Sequence, residues 1–165
     1  MVYKLVILDV DGTLVTTKSG ATFRAAADDW QWLPGRLEKL AELKEQGAKL
    51  AIASNQGGVA WGFFGPYPDG EQAMNAQMSI LAFQMHADVV QVCYTFPDER
   101  VMAAYYNPDD HRRKPNPGML EFAVNSFEFT PGDVLMVGDR DEDAQAARAA
   151  GVEFAWANGF FKEDV

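Results

Sequence analysis

The sequence predicts an α/β fold in which a central parallel sheet of about five strands is flanked by helices. Three observations lead there: five short runs rich in Val, Ile, Leu or aromatic residues, helical patterns between them, and polar or acidic residues directly after the runs. Runs that are apolar on both faces mark strands covered on both sides, and helix-length connections mark parallel crossovers. At 165 residues the chain is the size of one domain, and residues 1–165 read as a single unit.

The first run, Lys4 to Leu8, ends at Asp9-Val10-Asp11-Gly12-Thr13. Residues 14–33 follow without helical periodicity; a Ser19-Gly20 turn between β-capable pieces, with Trp30 and Trp32 beyond it, predicts a small hairpin flap over the strand end. Pro34 to Gln46 is a helical stretch, with Leu37, Leu40, Ala41 and Leu43 on one stripe, Pro34 at the entry and Gly47 as the stop. The second strand, Ala48 to Ala53, runs into Ser54-Asn55-Gln56-Gly57-Gly58. A helix over Glu71 to Met85 leads to the third strand, Asp88 to Tyr94. Arg112, Arg113, Lys114 and Pro115 stand before the next helix, Pro117 to Phe127. The fourth strand, Asp133 to Val137, is closed by Gly138-Asp139-Arg140-Asp141-Glu142-Asp143. A helix over Asp143 to Ala150, stopped by Gly151, leads to the last strand, Val152 to Trp156, and Phe160 with Phe161 reads as a pin for the tail or a contact patch.

Composition narrows the function classes. A net charge of -10 and a pI near 4.5 give no general attraction to polyphosphate backbones, so any phosphate recognition has to be local. No apolar run approaches the roughly 20 residues of a membrane span. A single cysteine, Cys93, suits a reducing compartment, and the chain reads as soluble and cytoplasmic.

Ligands of parallel α/β sheets bind outside the carboxyl ends of the strands. Two acidic clusters, a hydroxyl with a glycine-rich turn and a basic trio would therefore share one rim. Crowded carboxylates repel one another and are kept for a cation or for acid–base work. Hard oxygen ligands with open water positions suit Mg²⁺. Lys114 adds a fixed positive charge, and Ser54 with the amides after it adds donors, so a tetrahedral anion would fit. Taken singly, each residue has a structural alternative: Ser54 or Asn55 as a helix cap, Lys114 in solvent, Asp139 and Asp143 at a helix N-terminus. Their common rim argues for chemistry.

DVDGT at 9–13, Ser54 at the end of LAIAS, Lys114 in RRKPNPGML and GDRDED at 138–143 resemble the four motifs of the haloacid dehalogenase (HAD) superfamily of phosphatases, in order and in strand context. The resemblance implies a Rossmann-like sheet in which Asp9 attacks phosphorus to form an aspartyl-phosphate. Asp11 would protonate the leaving oxygen and then activate the hydrolytic water. It further implies that Ser54, Asn55 and Lys114 bind the phosphate. Asp9, the Asp11 backbone carbonyl and Asp139 would hold Mg²⁺, with Asp143 orienting the metal shell. An acid at position 11 favours a phosphatase over a dehalogenase. Only 40 residues separate Thr13 from Ser54 and 59 separate Ser54 from Lys114, which leaves no room for a large cap.

Two subfamilies compete. SNQGGVAWG and RRKPNPGML are similar to the histidinol-phosphate and heptose-bisphosphate phosphatases, implying a small phosphorylated substrate. DGTLVTTKSGATF with Asp28-Asp29-Trp30 is similar to the 3′-phosphatase domain of polynucleotide kinase-phosphatases, implying a nucleic acid 3′ end. The acidic charge favours the small metabolite. Lys18, Arg24, Arg112, Arg113 and Arg140 are the cations available at the mouth. The zinc loop of the first subfamily is not intact: Cys93 matches one ligand, but Thr95, Asp110 and Arg112 stand at the others, so no structural zinc is expected. The oligomeric state, and whether a partner chain closes the mouth, stay open at this level.

Overall fold

A computed structural model describes residues 2–162; the outermost residues of the unit expected over 1–165 lie outside the described residues. Along the chain come β1 (Leu5–Leu8), β2 (Val15–Thr16), β3 (Gln31–Trp32), α1 (Arg36–Glu45), β4 (Lys49–Asn55), α2 (Asp69–Gln84) and β5 (Val89–Cys93). Then follow α3 (Gly118–Ser126), β6 (Val134–Gly138), α4 (Asp141–Ala150), β7 (Glu153–Trp156) and α5 (Ala157–Phe161). The five expected strands and four expected helices are present, with ends shifted by one or two residues; α5 was not expected.

The main sheet is parallel, in the order β5-β4-β1-β6-β7. β1 is its middle strand, and all four of its residues are wholly buried. Alternate residues serve opposite cores, as the period of a strand requires. Val6 and Leu8 join Leu50, Ile52, Leu135 and Val137 beneath Leu40 of α1 and Met74, Met78 and Leu81 of α2. Leu5 and Ile7 join Ala51, Ala53, Val134 and Met136 beneath Met119, Leu120 and Ala123 of α3 and Ala146 and Ala147 of α4. The chain builds β4 and β5 on one side of β1, then crosses to build β6 and β7 on the other. That reversal opens a crevice beyond the carboxyl end of β1, where the loops after β1 and β6 meet.

The flap differs from the expectation in one respect. β2 and β3 do pair antiparallel, Val15 with Trp32 and Thr16 with Gln31, but Ser19-Gly20 is not a tight hairpin turn. Residues 17–30 form a longer connection folded around Asp29, whose carboxylate accepts bonds from the Ser19 amide (2.9 Å), the Ser19 hydroxyl (2.6 Å) and the Ala25 amide (2.9 Å). The Ala25 amide and the Ser19 hydroxyl hold the Asp29 carboxyl down at about 2. Leu14, Val15 and Trp30 root the flap in the core, and the Trp30 and Trp32 indoles donate to Gln77 (2.9 Å) and Gln84 (2.6 Å) of α2. At the other end, Phe161 of α5 lies 4.3 Å from the guanidinium of buried Arg36, which in turn donates to the Thr13 carbonyl at 2.9 Å. The tail is thereby pinned below the flap stem. Among the described residues no helix is long and apolar enough to cross a membrane.

Candidate active site

Asp9 leaves the end of β1 with its amide bonded to the Val137 carbonyl at 3.1 Å, so its side chain emerges in the crevice beside β6. Its carboxylate accepts from Lys114 Nζ at 2.8 Å, and the same ammonium donates to Asp143 at 2.6 Å. Asp9, Lys114 and Asp143 are all buried. Burial pushes the Asp9 carboxyl up to about 7, outweighing the pull of Lys114 and aided by the negative charge of Asp143. Burial alone would lower Lys114, but Asp9 and Asp143 together hold it above its ordinary value. Asp139 is exposed, and carboxylate oxygens of Asp9, Asp139 and Asp143 lie within 4.8 Å of one another.

Two glycines make this crowding possible. Gly12 has φ +83°, and a Cβ there would stand 2.0 Å from Asp139 Oδ2, so both its backbone and its missing side chain are required. Gly138, ending β6, would place a Cβ 2.4 Å from the Asp143 carboxylate. Asp143 then reaches back over the first turn of α4 and accepts from the amides of Asp139 and Arg140, each at 3.2 Å. Gly12→Ala is expected to displace Asp139 and remove divalent-cation binding, as read by calorimetry; retention of parental affinity would contradict this account of the turn.

Lys114 is held from behind. Asn55, expected at the phosphate, instead clasps the Lys114 backbone: its amide nitrogen donates to the Lys114 carbonyl at 2.8 Å, and its oxygen accepts from the Lys114 amide at 3.1 Å. Both ends of the side chain are engaged there, which fixes the Lys114 backbone beside the end of β4. Ser54 is buried at the end of β4, with its hydroxyl accepting from Gln56 Nε2 at 2.9 Å. The same Gln56 nitrogen donates to Asp11 Oδ2 at 2.7 Å, while Arg24 Nε donates to Asp11 Oδ1 at 2.8 Å. Gln56 was not singled out from the sequence, although residues two apart on a strand share a face and Ser54 points the same way.

The remaining cations separate. Arg113 comes to the turn after β4: a Cβ on Gly57 would lie 3.3 Å from its Nη1, which donates to the Thr95 carbonyl at 2.9 Å while the guanidinium stacks 4.4 Å from the Phe96 ring. Arg140 precedes α4 with an exposed side chain, and Lys18 is exposed on the flap. Arg112 does not join the cluster. It pairs with Asp110 at 3.6 Å and lines a hollow of about 510 Å³ with Val90 and Val92 of β5 and Met78 of α2. Asp110 also accepts from Thr95 at 2.7 Å and from Cys93 Sγ at 3.5 Å, so Cys93, Thr95, Asp110 and Arg112 form one polar knot.

Residues 4–161 match the polynucleotide kinase 3 phosphatase family. The chain belongs to this phosphatase family. It is 31% identical over 153 residues to the D-glycero-beta-D-manno-heptose-1,7-bisphosphate 7-phosphatase of Pseudomonas putida, covering 91% of this chain and 79% of that protein. Against the enzyme of the same description from Yersinia pestis the identity is 34% over 151 residues, covering 89% and 76%. The D,D-heptose 1,7-bisphosphate phosphatase of B. bronchiseptica, complexed with magnesium and phosphate, superposes with a TM-score of 0.69 at 30% identity over 92% of this chain and 78% of that one. A HAD-superfamily hydrolase of Geobacter sulfurreducens shares the fold, with a TM-score of 0.60 at 17% identity over 92% and 88%. The chain is thus a HAD phosphatase, a phosphoric monoester hydrolase with a parallel five-stranded sheet.

The site of this phosphatase suits a hard divalent cation. Three carboxylates face one ammonium, which leaves the cluster net negative, and every free donor is an oxygen. Carboxyl ligands must lose their protons to bind metal. Asp9 is ionised above about 7 and protonated below, so its proton competes with the cation on the acid side. Divalent-cation affinity is expected to fall as pH is lowered from 8 to 6, measured by titration calorimetry. A flat profile would show that burial does not govern Asp9.

Proposed function

We propose that this phosphatase removes the phosphoryl group of a small phosphorylated sugar through an aspartyl-phosphate on Asp9. One observation carries the proposal: the Asp9 carboxylate stands buried at the mouth of β1, with Lys114 at 2.8 Å and Asp139 and Asp143 beside it. Asp9 attacks phosphorus in line with the ester bond, which breaks as Asp11 gives a proton to the leaving oxygen. Asp11 then takes a proton from water, which attacks the same phosphorus and breaks the bond to Asp9. Lys114 and the Ser54 hydroxyl serve the non-bridging oxygens. Asp9, Asp139, Asp143 and the Asp11 carbonyl would hold Mg²⁺, which when bound neutralises charge on the carboxylates and the phosphate.

The heptose-bisphosphate phosphatases at 30% identity or more support the sugar class, and Arg113, at the turn after β4, would serve a second anionic group beyond the reacting one. A second reading, cleavage of a 3′-phosphate from a nucleic acid end, is supported by the family match over 4–161. The net charge of -10 favours the first. Phosphate release with Mg²⁺ separates them, across sugar mono- and bisphosphates, nucleoside monophosphates, histidinol phosphate and a 3′-phosphorylated oligonucleotide. A sugar ester as best substrate is the expected result; preference for the oligonucleotide by kcat/KM would replace the sugar reading with the second.

A further inference from the structure

We propose that Arg24, carried by the flap, is a positioning residue that pins one oxygen of Asp11 so that the other can deliver and recover the proton; this rests on the phosphatase reading above. Arg24 is a cation that the sequence would place in the solvated mouth, yet its side chain is only 4% exposed, against 39% for Asp11. Nε donates to Asp11 Oδ1 at 2.8 Å, and Nη1 donates to the Ala27 carbonyl at 2.9 Å and faces Met74 Sδ at 3.7 Å. Nη2 is buried without a hydrogen-bond partner.

Guanidinium geometry says where that unpartnered nitrogen points. The donors of arginine are fixed in a planar fork, and the Nε–H and one N–H of Nη2 lie along a common edge. Because Nε faces Asp11, Nη2 faces the same side. A salt bridge kept only for stability would close that fork with both carboxylate oxygens, the strongest geometry for an Arg–carboxylate pair. Here the carboxylate is turned so that Oδ2 meets Gln56 at 2.7 Å, and a buried donor is left unsatisfied at some cost to the fold.

The arrangement suits a group that must move by one oxygen and no more. Oδ1 stays on Nε while Oδ2 turns about it, away from Gln56, towards the leaving oxygen or the attacking water. Gln56 keeps Ser54 as an acceptor when Oδ2 departs. Holding a catalytic group in near-attack geometry is a large part of what an active site supplies. The flap, rooted in the core and folded around Asp29, thus takes part in the proton step through Arg24.

The test uses the full chain with Mg²⁺ and two esters that differ in their need for an acid: p-nitrophenyl phosphate, with a stable leaving phenolate, and glycerol 2-phosphate, with an alkoxide to protonate. In Arg24→Met, kcat for the alkyl ester is expected to fall roughly 10²-fold, within the span of general acid catalysis, with KM unchanged and a far smaller loss on the aryl ester. In an Asp11→Asn background, Arg24→Met should cost nothing further on the alkyl ester, because both changes remove one function. Equal losses on the two esters, or additive losses with Asp11→Asn, would overturn the assignment and leave Arg24 a structural staple. Should Arg24→Met melt early, Arg24→Lys carries the same comparison, since it keeps the charge and the buried stem. An Asp11→Asn chain whose alkyl-ester kcat matches the parent would overturn the acid–base role of Asp11 and this assignment with it.

Discussion

Asp9→Asn is expected to abolish phosphate release, by on the order of 10⁴-fold or more, while leaving the fold in place. The amide keeps the shape of the carboxylate but cannot act as the nucleophile. Stability should hold or rise at neutral pH. Burial lifts the Asp9 carboxyl to about 7, above its value in the unfolded chain, so the folded state binds that proton more tightly. The stability contributed by Asp9 is therefore full below about pH 4 and is lost as pH rises through about 7. Asparagine carries no such dependence, and Lys114 retains Asp143 at 2.6 Å as a partner. Phosphate release and thermal melting of the two proteins at pH 7.5 check both halves. Activity within tenfold of the parent would remove Asp9 as the nucleophile.

Lys114→Met should be the most damaging change to the fold of the unliganded site. The ammonium is the shared partner of two buried carboxylates, and its removal leaves them facing each other. Breaking a buried pair in this way costs roughly 3–5 kcal/mol, because the remaining charge is uncompensated. The loss should shrink in acid, where the carboxyls take up protons, and Mg²⁺ should restore more stability to the variant than to the parent by supplying the missing positive charge. Urea unfolding with and without Mg²⁺ measures both effects, and turnover should fall as well if Lys114 serves the phosphate as proposed. A variant as stable as the parent would mean that Asp9 and Asp143 share a proton rather than a charge.

The strands were legible because each is a short, mostly apolar run, with β1, β4 and β6 giving way abruptly to polar residues, and β1, buried on both faces, carries no polar residue within its span. The Asp9, Asp11 and Asp139 positions followed from reading what comes after each strand. The flap was legible only as a region. Ser19-Gly20 has hairpin composition, but the connection is shaped by Asp29 gathering amides and a hydroxyl, a pattern with no fixed spacing. Charge by itself did not tell the three arginines apart: Arg24 is buried against Asp11, Arg113 stacks at the β4 turn, and Arg112 lies over the β5 edge. The bonds of Asn55 to the Lys114 backbone were not legible for a related reason, since an amide serves a backbone as readily as a ligand.

The position of β1 between β4 and β6 bears on how the chain comes off the ribosome. β1 and β4 can pair early, but β6, the other neighbour of β1, begins only at Val134. At a synthesis rate of about 5–20 residues per second, one edge of the most apolar strand waits roughly 6–25 seconds for its partner. Such an open edge is a template for pairing with another chain. During that interval Asp9 exists without Asp139 and Asp143, so the sheet and the carboxylate cluster are incomplete together. The carboxylate cluster is completed only with the strand that closes the edge, so one late event finishes both.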